Sequence, residues 1–142
     1  MSEPGALRRP TNSGAGRVLV AIYGVFALAA CSRAAVQLAT RYHEAPLAYL
    51  LSAVAGVVYV VATFTLARGT QASRRLALVA ILIELVGVLS VGTASLVDPA
   101  AFPRATVWSL YGIGYGFVPL VLPFAGLAWL WRTRAPIEGA IR

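Results

Sequence analysis

The sequence predicts an all-α membrane protein: a four-transmembrane-helix bundle with the N and C termini cytoplasmic. Three observations carry this. Of 142 residues, 59% are apolar and only 12% charged, against about 25% charged in an ordinary soluble domain. The apolar residues fall into four runs of about 20, the length that crosses a bilayer as a helix. The arginines collect between alternate runs, which fixes an orientation.

Residues 1–17 are rich in Gly, Pro and Ser with three Arg, the composition of a flexible cytoplasmic tail. Residues 18–131 form the bundle, with spans at about 18–40, 47–67, 76–97 and 107–131. The first span is interrupted by Arg33 and Gln37 and followed by Arg41; at i, i+4 and i+8 these share one helical face. Pro46 suits the first turn of the second span, where Ala48, Ser52 and Gly56 give a small-residue face. The third span holds Glu84, and Asp98-Pro99 breaks it. Residues 132–142 are a second cytoplasmic tail.

The fourth run, Val107 to Trp131, carries Gly112, Gly116, Pro119, Pro123 and Gly126 at alternating steps of four and three. As one continuous helix it would present a groove of small or ring-closed residues to a neighbour. Pro119 and Pro123 lack an N–H, so the carbonyls of Tyr115 and Pro119 would need donors from elsewhere.

All twelve basic residues are Arg. Arg8, Arg9, Arg17, Arg68, Arg74, Arg75, Arg132, Arg134 and Arg142 fall on one side of the spans, and only Arg41 and Arg104 on the other, near Glu44 and Asp98. The first side is therefore cytoplasmic. Trp129 and Trp131 are expected at the inner interface, and Tyr42, Tyr49, Phe102 and Trp108 at the outer one. A basic nucleic-acid binder gathers its charge on one soluble face, so no nucleic-acid partner is expected.

With a rise of about 1.5 Å per residue, Arg33 lies roughly 22 Å and Glu84 roughly 12 Å from the inner edge, a difference of about 10 Å. A charge in the bilayer core costs on the order of 3 kcal/mol or more, so Glu84 should face the bundle interior. It is either ionised and held by Arg33, with Gln37 or tyrosine hydroxyls nearby, or protonated and donating to a spare carbonyl such as that of Pro119. Its role is a polar staple that fixes helix register, or a transport, proton-relay or ligand site. Arg33, Gln37 and Arg41 could hold an anionic lipid or a partner's carboxylate, while Arg33 alone can snorkel to the headgroups.

One cysteine and one histidine, Cys31 and His43, exclude an internal disulfide and a metal cluster. Leu28-Ala29-Ala30-Cys31 matches a lipoprotein signal, in which Cys31 would be lipidated after cleavage. The apolar pattern continues past Cys31 and favours a small residue at a helix interface. His43 reads as a solvated loop residue, and no cofactor, metal or catalytic residue is expected.

Three segments carry a resemblance: Glu44-Ala45-Pro46-Leu47-Ala48-Tyr49, Ile83-Glu84-Leu85-Val86-Gly87-Val88-Leu89 and Tyr111-Gly112-Ile113-Gly114-Tyr115-Gly116-Phe117-Val118-Pro119. In these the chain resembles small uncharacterised four-span integral membrane proteins of actinobacteria. The resemblance implies a cell-membrane location and carries over no activity. The expected function is that of a small multi-pass cell-membrane protein, a non-enzymatic interaction or accessory protein. Its partners would be membrane lipids and other membrane proteins or itself, reached through the small-residue seams. The alternative is a transporter or a lipid- or ligand-binding membrane protein that uses Glu84 and Arg33.

Overall fold

A computed structural model describes residues 14–134. The tails beyond them, with Arg8, Arg9 and Arg142, lie outside the described residues.

Three long helices come first: α1 (Ala15–Arg41), α2 (Pro46–Arg68) and α3 (Gln71–Val97). Each is long and apolar enough to cross a membrane. Their connections are short because the chain supplies the stop and start signals locally. Pro46 opens α2 within its first turn, and Gly69, in the left-handed conformation at φ 69°, closes it. Thr70 then caps α3: its hydroxyl accepts the Ser73 N–H at 3.1 Å while the Ser73 hydroxyl accepts the Thr70 N–H at 2.9 Å. This reciprocal cap starts α3 five residues earlier than the apolar run suggests, so Arg74 and Arg75 stand on its first turns rather than in a loop.

The fourth run is not one helix. Ser109–Tyr115 is a 3₁₀ segment interrupted by non-helical backbone at Leu110, Tyr111 and Gly112, α4 (Val118–Arg132) has 15 residues, and their axes differ by 98°. Leu110, Tyr111 and Gly112 have φ of 50°, 62° and 86°, and Gly116 and Phe117 follow at 64° and 61°. A left-handed L-residue costs roughly 1–2 kcal/mol, so the surroundings must hold the break in place.

That correction removes the predicted groove. Gly112 and Gly116 sit in the turn, and Gly112 packs against the Pro119 ring. Only Pro119, Pro123 and Gly126 share α4, and all three are buried; Gly126 faces Ile81 and the Tyr23 hydroxyl. Pro119 falls on the second residue of α4, where its missing N–H costs no helical bond; Pro123 alone lies inside the helix.

α1, α2 and α3 run antiparallel in sequence, and α4 returns along α3. Arg74, on the first turn of α3, donates to Leu130 O at 2.6 Å and to Thr133 Oγ1 at 2.8 Å at the end of α4. One end of the bundle thus carries the start of α1, the α2–α3 turn and the end of α4. At the opposite end Arg104 pairs with Glu44 at 3.1 Å, tying the α3–α4 connection to the α1–α2 turn. Ala48, Ser52 and Gly56 are all buried, and Gly56 lies against Cys31 where α1 meets α2. Large apolar side chains such as Val25, Leu28, Val57, Phe64 and Val86 face outward. Helices apolar on both faces fit a hydrocarbon surround.

Candidate functional site

Glu84 is fully buried midway along α3. Its partner is Tyr23 of α1, whose hydroxyl donates to Glu84 Oε1 at 2.6 Å and lies 3.5 Å from Leu122 O on α4. Three helices therefore meet at one phenol oxygen. Glu84 Oε2 is buried with no hydrogen-bond partner. In a medium without water an orphaned polar atom costs several kcal/mol.

Arg33 does not reach Glu84. It lies ten residues beyond Tyr23 on α1, about 15 Å along the axis. Its guanidinium donates to the Tyr115 hydroxyl at the end of the 3₁₀ segment, and its charge stands 6.0 Å from the Tyr115 ring centre. Between Arg33 and the broken segment is a cleft of about 370 Å³ that also touches Thr106, Ser109 and Ile113. Gln37 and Arg41 lie apart from it, along an open groove of α1 with Arg33 at one end. Among the described residues the one ion pair is Arg104 with Glu44, so the Arg33 charge meets no carboxylate.

An aromatic column joins the two sites. Tyr23 and Tyr59 have ring centres 6.2 Å apart, Phe26 stands 5.9 Å from Tyr59 and 5.7 Å from Tyr115, and Trp108 lies 6.4 Å from Tyr59. Trp108 Nε1 donates to the Tyr59 hydroxyl at 2.9 Å. Tyr49, Trp108 and Trp129 are buried against protein.

The break is held from α3. Gly87 leaves room for the Trp108 ring and Gly92 for the Tyr111 ring; a Cβ would come within 2.5 Å of the first and 2.3 Å of the second. Ser95 Oγ accepts the Leu110 N–H at 2.9 Å, and Thr93 Oγ1 and the Tyr111 hydroxyl are 2.7 Å apart. Ser109 Oγ accepts the Thr106 N–H at 2.8 Å, and Thr106 Oγ1 accepts the Trp108 N–H at 3.0 Å. Irregular backbone at membrane depth is tolerated where protein supplies such partners.

The sequence singled out Arg33 and Glu84 but missed Tyr23, Tyr59, Trp108 and Tyr115. The signal for Gly92 was available: with Gly87 and Ser95 it makes a run of small residues on one side of the third span. Cys31 packs on Gly56 within α1, and His43 is exposed beside Tyr42. Among the described residues no three His, Cys, Asp or Glu side chains are grouped to hold a metal ion.

The fold defines a class: an all-helical membrane protein with three candidate spans, or four if the bent pair counts as one. Comparison with family models, with curated proteins and with solved structures finds no match.

Proposed function

We propose that the chain is a small multi-pass protein of the cell membrane, with both termini cytoplasmic, that binds an anionic membrane component without transforming it. The observation that carries this is the cleft beside Arg33. A cation with no carboxylate partner lines a space of about 370 Å³ on the broken segment, with hydroxyl-bearing residues around it. An anion entering there would pair with the guanidinium in a medium where such a pair is weakly screened.

Glu84 and Tyr23 serve this cleft from below. Their hydrogen bond fixes α1 and α3 against the start of α4, from which the broken segment rises. Association with other membrane proteins or with a second copy was the first expectation from the small-residue faces. Those faces are spent inside the bundle: Ala48, Ser52 and Gly56 are buried in α2, and Pro119, Pro123 and Gly126 in α4. The geometry therefore favours the ligand-binding alternative over association through these seams.

The test is mass spectrometry of lipids extracted with the protein in native polymer discs. One anionic lipid is expected to be enriched over the bulk membrane, and Arg33→Gln is expected to lower the enrichment by the one molecule the cleft holds while the helical content stays unchanged. Equal lipid content in wild type and Arg33→Gln would refute it.

A further inference from the structure

The arginine-bearing end of the bundle has a second groove, between α3 and α4, that neither the cleft nor Glu84 uses. It encloses about 490 Å³, and its lining sorts by depth. Arg74, Arg75 and Arg134 stand at the helix ends. Leu78, Leu127 and Leu130 lie a turn or more further in.

At this end Arg75 and Arg134 meet no carboxylate among the described residues. Arg17, Arg68, Arg74, Arg75, Arg132 and Arg134 are all here, whereas the carboxylates among the described residues are elsewhere: Glu44 and Asp98 at the opposite end, Glu84 at mid-height. The geometry is set before any ligand arrives. Arg74 is fixed by its bonds to Leu130 O and Thr133 Oγ1. Arg134 lies 4.2 Å above the centre of the Trp131 ring and donates to Trp131 O at 2.6 Å. Trp131 itself is 64% exposed, an amphipathic ring suited to headgroup level.

We propose that this groove binds an anionic phospholipid, with the phosphate between Arg75 and Arg134 and the first part of an acyl chain along Leu78, Leu127 and Leu130. Basic pockets between spanning helices recognise headgroups in this way. The apolar floor directly beneath the charges is what distinguishes a lipid from a soluble phosphate. The inference rests on the membrane placement of the chain and is independent of the Arg33 cleft.

The test is native mass spectrometry of the full chain offered dioleoylphosphatidylglycerol or dioleoylphosphatidylcholine. The phosphatidylglycerol should be retained in preference, and Arg75→Gln with Arg134→Gln should lower its occupancy on the order of tenfold. Both side chains are exposed, so the variant should stay folded, which circular dichroism checks. Leu127→Trp, which fills the floor without changing charge, should lower occupancy comparably. Arg33→Gln should remove at most the one lipid of the cleft and leave the one that Arg75→Gln with Arg134→Gln removes, so the two sites fail separately. Three results would overturn the assignment. In one, Arg68→Gln with Arg132→Gln, outside the groove, weakens retention equally, which means diffuse surface charge. In another, glycerol phosphate displaces the lipid at equal concentration, which means the acyl groove contributes nothing. In the third, Leu127→Trp alters the oligomeric state and not the lipid, which means a second copy fills the groove.

Discussion

Gly87→Ala and Gly24→Ala are the same change in the interiors of two helices, and the structure gives them opposite signs. In a helix interior Ala is favoured over Gly by about 1 kcal/mol. At Gly24 the added Cβ would find its nearest neighbour, Thr63 Cγ2, at 3.7 Å, an ordinary contact, so Gly24→Ala should keep most of that gain. At Gly87 the Cβ would meet Trp108 Cζ3, Cη2 and Cε3 at 2.5, 2.6 and 2.9 Å. Carbon atoms prefer about 3.5–4.0 Å, so the indole must retreat by roughly 1 Å. Trp108 is 2% exposed and pinned to the Tyr59 hydroxyl at 2.9 Å, so it has little room to do so. Overpacking of this kind costs about 1–3 kcal/mol, and loosening the indole hydrogen bond adds about 1. After the helix-propensity gain, Gly87→Ala should destabilise by about 1–3 kcal/mol. The assay is reversible unfolding in mixed micelles followed by far-ultraviolet circular dichroism. Trp108→Phe in the Gly87→Ala background should be non-additive by about 1 kcal/mol or more, because the Cβ then meets a smaller ring. A Gly87→Ala protein as stable as wild type, or strictly additive effects, would refute the claim that this glycine exists to admit the indole.

Other expectations follow from the same contacts. Tyr23→Phe leaves Glu84 without its donor and should destabilise by about 1–3 kcal/mol in the same assay, while adding Glu84→Met should restore much of the loss by removing the stranded carboxyl. Arg74→Met should lower stability by about 1.5–3 kcal/mol, since the Leu130 carbonyl and the Thr133 hydroxyl lose a charged donor where burial withholds water. The intact mass of the purified protein should include the residues before Cys31, because cleavage there would strip Leu19, Tyr23, Ala27 and Ala30 from the core. A reporter fused after Arg142 should be active in the cytoplasm, and a cysteine placed at His43 should be labelled from outside; the reverse pattern would invert the orientation drawn from the arginines.

The architecture was legible because it depends on one-dimensional quantities. Run length against bilayer thickness marked where the three long helices lie, and Pro46 and Asp98-Pro99 marked where chain direction changes. The burial of Glu84 followed equally, since a carboxyl among so many apolar neighbours has nowhere else to go. The fourth run was misread for a physical reason. Its length and apolarity are those of a helix, and nothing in its composition reports that Leu110, Tyr111 and Phe117 adopt left-handed backbone. Those conformations are imposed by Ser95, Thr93, Gly92 and Gly87 on another helix. For the same reason spacing could nominate both Arg33 and Glu84 but not their partners: Tyr115 for one and Tyr23 for the other are set by how α1 docks. What the chain determined by itself was which residues leave water and where the helices can begin; which side chains meet was decided only by packing, because hydrophobic periodicity carries no information about the neighbour across an interface.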